Sequence, residues 1–388
     1  MSITVRKVED KADFKAFFEF PWKLYKDHPR WVPELPSLRH ETLDRGKHAA
    51  WEYMTGDYFV AWRGSEPVGT IAAFVNHRHN QIHEENIGFF GFFESIDDQE
   101  VATALFKTAE DYLRGLGVTA IRGPANFTSN ELYGLLVKNF ELDPMILMPY
   151  NPEYYIRLIE NSGFSKVMDL LSWKGDKPAA RKILYEADGE TPSRVLKAIR
   201  RNNERREITV RTINMKDKWK EFDLLRSIYH DGWEKNWGFL PMTERELNEL
   251  VKSLGILLMP KYTFFGYVKG EPAGILLLVP NFNQIFKHVN PRPGVPEPWW
   301  LLKTLYHWKI RPKATTLRAI LMGVRQDYRG IGVDAAMMLS FTETLLQDQQ
   351  FEWAEAGWVL ETNLDTNRLL EHFGAVDHRD HRLYQKSL

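Results

Sequence analysis

Residues 317–346, LRAILMGVRQDYRGIGVDAAMMLSFTETLL, restrict this chain more than any other stretch. The apolar run at 317–324 reads as a buried strand, and Gln326 and Asp327 break it. Gly330 and Gly332 then permit positive φ and close backbone approach. From Val333 the chain turns helical, with Val333, Met337, Phe341 and Leu345 on one stripe. A strand fed through a glycine loop into a helix leaves unpaired N–H groups at the loop and first turn, which suit a phosphate or another anion. Downstream, 358–363 reads as a strand, 366–372 as a helix ended by Gly374, and 382–386 as a closing strand. The expected class is α/β, an α+β arrangement on a mixed sheet.

The segment Tyr328-Arg329-Gly330-Ile331-Gly332-Val333-Asp334 resembles the acyl-CoA loop of the GNAT superfamily of N-acyltransferases, whose pattern is Arg/Gln-x-x-Gly-x-Gly/Ala after an aromatic. Asp334 stands where the family has a small residue; an acid in the first turn of a helix favours its macrodipole. The helix at 366–372, with Asn363, Asn367 and Phe373-Gly374, is similar to the family's Asn-containing helix, but Leu370 stands where the family often has a Tyr general acid. The resemblance implies that the backbone of Gly330, Ile331, Gly332 and Val333 holds the pyrophosphate of acetyl-CoA or another acyl-CoA, with Arg329 adding charge. It implies that Gly323 and Val324 pair with the pantetheine arm. Glu361 is then a candidate base, Asn363 a polar positioner and Tyr384 a substitute acid.

With 388 residues, two domains are the default. The net charge of −1 argues against nucleic acid as main partner. No cysteine is present, which removes disulfides, thiolate nucleophiles and Cys-ligated zinc. His77, His79 and His83, like His378 and His381, lack a metal-ligand pattern, so no metal is expected. The N-terminus has no apolar signal-peptide core, and no run approaches the length that spans a membrane, so the expectation is a cytoplasmic protein without a membrane partner. Monomer and homodimer both stay open.

The halves share an order. Strands at 58–63 and 68–75, joined by Gly64-Ser65-Glu66-Pro67, correspond to 263–268 and 273–279, joined by Lys269-Gly270-Glu271-Pro272. The helix at 99–114 corresponds to 333–346. This predicts two tandem acyl-CoA N-acyltransferase-like domains: 1–175, 176–206 as linker and basic helix, and 207–388. The first copy has Glu94-Ser95-Ile96-Asp97-Asp98 where the second has its glycines, and acids repel pyrophosphate, so it reads as degenerate. Asn126 and Asn130 are substrate contacts, or their loop caps a helix at 131–138 through Asn130 or Ser129.

In the second half, Trp233, Trp237 and Phe239 form an aromatic loop where the family lines its acceptor pocket; they are either an apolar or cation-binding wall or a plug onto the core. The basic helix at 194–206 reads as a solvated interdomain element, with nucleic acid or a phosphorylated ligand as the other choice. The proline-rich stretch 281–300 forbids a regular element and is a candidate lid or clamp, followed by a helix at 299–308. The leading expectation is N-acyl transfer from CoA to a small-molecule or peptide amine. The alternatives are a non-catalytic ligand-binding protein of this fold and a tRNA-dependent aminoacyl transferase.

Overall fold

A computed structural model describes residues 2–233 and 237–388, with side chains except at 233 and 251–256. The chain forms two compact units: Met1–Leu170 with Ile285–Arg311 and Arg379–Leu388, and Leu171–Gln284 with Pro312–His378. The consecutive halves expected from sequence are therefore interrupted. The segment 285–311 and the chain's last ten residues belong to the first unit.

The first unit opens with β1 (Ile3–Lys7), α1 (Lys11–Leu24) and α2 (Pro36–Leu43). Next come β2 (Met54–Arg63), β3 (Glu66–Asn76), α3 (His77–His83) and β4 (Ile87–Ser95). Then follow α4 (Gln99–Gly115), β5 (Ala120–Gly123), β6 (Leu135–Leu136) and α5 (Tyr154–Glu160). β1 to β4 pair antiparallel in chain order, and β4 pairs parallel to β5. The core is aliphatic and aromatic, with Ile71, Phe90, Leu105, Phe106 and Leu158 at its centre. Residues 131–138 form no helix. Gly134 takes φ +88°, and the apolar Leu135 and Leu136 pair instead with the chain's last strand.

The unit boundary falls within β7 (Ser165–Asp176). The expected linker carries α6 (Lys177–Leu184) and the basic α7 (Arg194–Arg206), both in the second unit. β8 (Ile208–Thr212), α8 (Lys218–Trp233), α9 (Glu244–Leu257), β9 (Thr263–Val268) and β10 (Glu271–Pro280) follow. The stretch read as irregular holds α10 (Asn283–Val289), because its prolines begin only at 291; α11 (Glu297–Leu305) then starts on Pro298. β11 (Thr316–Val324), α12 (Val333–Gln347), β12 (Trp353–Leu360), α13 (Leu364–His372) and β13 (Val376–Ser387) complete the chain.

In the second unit β8 to β11 pair antiparallel in order, and β11 pairs parallel to β12. This repeats the first unit strand for strand. Both units also carry an extra residue in the fourth strand: the register slips between Thr70 and Ala72 opposite β4, and between Leu277 and Leu278 opposite β11. Such a bulge bends the strand and ends regular pairing. Among the described residues no helix is long and apolar enough to cross a membrane.

Candidate functional site

In the second unit β11 and β12 pair only from Thr316↔Trp353 to Ala319↔Ala356. Past the bulge both strands run on, β11 to Val324 and β12 to Leu360, and diverge. A gap between parallel strands exposes backbone donors and acceptors that the ladder no longer uses. Gly323 and Val324 lie at its β11 edge.

Glycines fix what sits beyond that edge. Gly266 and Gly274 face each other across β9 and β10, and a Cβ on either would lie 2.7 or 3.2 Å from Val333 Cγ1. Their missing side chains let the first turn of α12 rest on the sheet. Gly332 is the cap of α12 at φ +100° and supplies no side-chain acceptor. The first N–H groups of a helix have no carbonyl a turn behind them. Asp334 takes one of them, its carboxylate accepting from the Ala335 N–H at 2.8 Å. That is helix-terminus chemistry, as the sequence suggested.

The cations around the loop are not those the sequence put first. Arg329 donates to the carbonyl oxygens of Gly232 at 2.7 Å and Val324 at 3.3 Å, so its guanidinium ties the loop to its neighbours. The basic α7 lies against the loop instead of standing free in solvent. Asn202 donates through Nδ2 to the Ile331 carbonyl at 2.9 Å, and Arg200 pairs with Glu343 on α12 at 3.0 Å. A cleft of about 380 Å³ beside the loop is lined by Arg205, Arg206, Val268, Lys269 and Ile331. Among the described residues none of these three cations has a carboxylate partner. Arg205 and Arg206 donate to Asn202 Oδ1, at 3.4 and 3.3 Å, and three cations without a carboxylate beside a helix N-terminus suit a multiply charged anion. The sequence signal was there in the Arg pairs of 200–206, but nothing local said which surface they would meet.

Other expected residues are placed as follows. Glu361 is half-buried just past the end of β12, at the mouth of the diverging strands. Asn363 caps α13, accepting from the Thr366 N–H at 3.2 Å, so its side chain has a structural duty. Tyr384 belongs to the first unit, is fully buried and donates to Glu160 at 3.0 Å; it does not join the loop's unit as the substitute acid. Phe239 is buried against Tyr229, with ring centroids 5.4 Å apart, and serves the core and not an open wall. Trp237 is half-buried. Trp233 ends α8, and its side chain lies, with residues 234–236, outside the described residues.

The first unit holds a second reactive arrangement that the sequence did not single out. Glu94 follows the bulge of β4, which Asn126 secures by accepting from the Phe92 N–H at 2.9 Å. Tyr25 and Tyr155 both donate to Glu94 Oε2, the latter at 2.7 Å, and the Tyr155 oxygen accepts from the Ser95 N–H at 2.8 Å. Both tyrosines are buried, and Trp31 stacks on Tyr25 at 5.2 Å. Burial pushes the Glu94 carboxyl up to about 7, although the two hydroxyls favour its charged form. A carboxyl that titrates near neutrality can hold or release a proton at physiological pH. The other acids of this stretch are engaged: Asp97 pairs with Arg157, and Asp98 caps α4 and pairs with Arg63. Among the described residues there is no cluster that could hold a metal ion.

A model of the acetyltransferase (GNAT) family matches residues 17–135, in the first unit, whereas the sequence motif lies in the second. Protein YghO of Escherichia coli (strain K12) is 31% identical over 393 residues, spanning 99% of this chain and 95% of YghO. A bacterial ceramide synthase of Caulobacter vibrioides (strain NA1000 / CB15N) is 30% identical over 392 residues, spanning 100% of this chain and 98% of that one. Among solved structures, a tandem GNAT protein from the clavulanic acid biosynthesis pathway superposes with a TM-score of 0.54 at 10% identity, over 100% of this chain and 98% of that one. At that identity the likeness concerns fold alone. Full-length kinship with YghO and the ceramide synthase, carried on this repeated strand order, shows that the chain belongs to their family and has a GNAT-superfamily fold with tandem acetyltransferase-like domains.

Proposed function

We propose that the protein is an N-acyltransferase that moves an acyl group from CoA to the amine of a long-chain amino alcohol. The observation that carries this is the Gly330–Gly332 loop, which opens α12 beside the cleft of Arg205, Arg206 and Lys269. Pyrophosphate fits the free N–H groups of Gly330, Ile331, Gly332 and Val333, and a further phosphate fits the cleft. The pantetheine arm would run along Gly323 and Val324, where β11 has left β12. The acceptor class comes from the ceramide synthase relative, since a ceramide is the amide of a long-chain amino alcohol.

The chemistry asks little of the protein. The amine nitrogen attacks the thioester carbonyl, an amide bond forms, the carbon–sulfur bond breaks, and CoA leaves as its thiol. One proton from the amine must be accepted. Glu361, at the mouth of the diverging strands, is the candidate acceptor in the second unit. Glu94 is the group in the first unit whose carboxyl titrates near neutrality.

The test is calorimetric titration of CoA and of dephospho-CoA into wild type and R205E/R206E, followed by an acyl-CoA and sphinganine assay read by mass spectrometry of the amide. CoA affinity falls by on the order of tenfold or more in the double variant, and dephospho-CoA affinity falls less. Absence of CoA binding by wild type, or equal losses for both ligands, refutes the placement. CoA binding without amide formation refutes the acceptor class alone.

A further inference from the structure

The segment 285–311 belongs to the first unit and carries an exposed apolar surface. α11 begins after a run of prolines and continues into a π-helical turn, Tyr306–Ile310. Trp300 is buried and anchors the helix. Trp299, Leu301, Leu302, Leu305, Tyr306 and Ile310 are 44% to 73% exposed. At 100° per residue they sweep about half the helix circumference. Together they present on the order of 500 Å² of apolar surface, at the upper end of what monomeric proteins leave in one patch. The sequence reading expected no membrane partner because nothing spans a bilayer. A surface helix needs no span.

We propose that this face of α11 and its π-helical turn docks the protein on the surface of a bilayer containing anionic lipid. Two observations choose a bilayer over other occupants. The first is charge. Residues 292–313 hold Arg292, Lys303, Lys309, Arg311 and Lys313 against the single acid Glu297, in a chain whose net charge is −1. Glu297 is itself engaged, accepting from Ser37 Oγ at 2.9 Å. The exposed Lys309, Ile310 and Arg311 set cations directly beside the apolar tip. The second is chemistry and shape. Tryptophan and tyrosine sit well at the headgroup level, and lysine stems lie along apolar surface while their ammonium groups reach outward. Lys303 does this over the Trp299 ring at 5.1 Å, and Lys309 over Trp308 at 5.0 Å. The face is a convex helix ridge, which acyl chains can surround without a matching groove. The helix is also held firmly enough to act as a foot. Trp22 Nε1 donates to the Pro291 carbonyl at 2.9 Å, and Lys287 pairs with Asp143 at 2.6 Å.

This inference is independent of acyl transfer, and its experiment uses no acyl donor. The full chain is floated with phosphatidylcholine vesicles and with vesicles holding 30% phosphatidylglycerol, at low and high salt. Wild type floats with the anionic vesicles, less with the neutral ones, and less at high salt. L302E/I310E lowers partitioning by on the order of tenfold or more on both. K309E/R311E lowers it on anionic vesicles only. Both variants keep the wild-type circular dichroism melt and CoA titration, since both exchange exposed side chains of the first unit. The proposal is overturned if wild type stays with the soluble fraction, or if L302E/I310E floats like wild type. It is also overturned if sedimentation velocity shows a wild-type dimer that L302E/I310E makes monomeric, which would assign the face to a second copy of the chain.

Discussion

Replacing Glu94 by Gln should make the protein more stable above neutral pH while leaving its stability at low pH unchanged. Burial lifts this carboxyl from 4.5 to about 7 in the fold. In the unfolded chain it titrates at its ordinary value. Between those limits the folded state holds a proton that the unfolded state has lost. Stability therefore declines as pH rises from about 4.5 to about 7 and stays lowered above that. A shift of this size corresponds to about 3 kcal/mol, and partial exposure of the side chain reduces it to about 2 kcal/mol. Gln keeps an oxygen that can accept from Tyr25 and Tyr155 and carries no charge at any pH. Urea midpoints read by tryptophan fluorescence at pH 5, 6, 7 and 8 provide the assay. The two proteins should differ least at pH 5 and separate progressively, with Gln the more stable at pH 8. Parallel curves would show that Glu94 titrates normally and that burial does not govern it. The same variant tests chemistry. If Glu94 accepts a proton during turnover, acyl transfer falls in a protein that has become more stable, an outcome loss of fold cannot produce.

Three further outcomes follow from the geometry. E85A should cost about 3 kcal/mol, because it strips both carboxylate contacts, at 2.8 and 3.0 Å, from the buried Arg122 guanidinium; a urea midpoint equal to wild type refutes the pairing. G332A should cost about 2 kcal/mol, since its Cβ would lie 2.6 Å from Asn202 Nδ2 at φ +100°, and should weaken CoA binding in calorimetry. G330A, at φ +72° with open space around its Cβ, should cost about 1 kcal/mol and retain more CoA affinity; equal effects at the two glycines would refute the loop packing.

Much of the scaffold was legible because its signals are local. The hairpins at 64–67 and 269–272 carry their own turn residues, and the glycine loop with the stripe Val333, Met337, Phe341 and Leu345 defines a strand–loop–helix without help from elsewhere. What stayed hidden depends on pairing across long separations. Leu135-Leu136 looks helical until the last strand of the chain takes its backbone bonds. Tyr384 looks available until that same strand, lying in the first unit, buries it against Glu160. α7 was visible as a basic helix, but the surface it meets is set by Asn202 reaching Ile331, a contact between residues 129 positions apart. Glu94 was seen only as one acid among several. Its altered proton affinity comes from burial, in a site that Tyr25 and Tyr155, distant in sequence, help to enclose.

The repeated scaffold also explains why the two units offer different chemistry. Each has a bulged fourth strand, a short parallel pairing and a helix that starts where the strands part. In the first unit that helix, α4, is capped by Asp98, whose carboxylate accepts from the Glu100 N–H at 2.9 Å and pairs with Arg63. An anion from the chain itself thus takes the place that a ligand phosphate would occupy. In the second unit the cap of α12 is Gly332, which brings no acceptor, and Arg205, Arg206 and Lys269 leave the surroundings positive. At the same architectural position a carboxylate satisfies the helix end from within the chain, whereas a glycine leaves its N–H groups without a side-chain acceptor. Within the acidic run at 94–98, Asp97 and Asp98 thus serve the fold of the first unit. Glu94 lies among tyrosines, and burial there lifts its carboxyl to about 7.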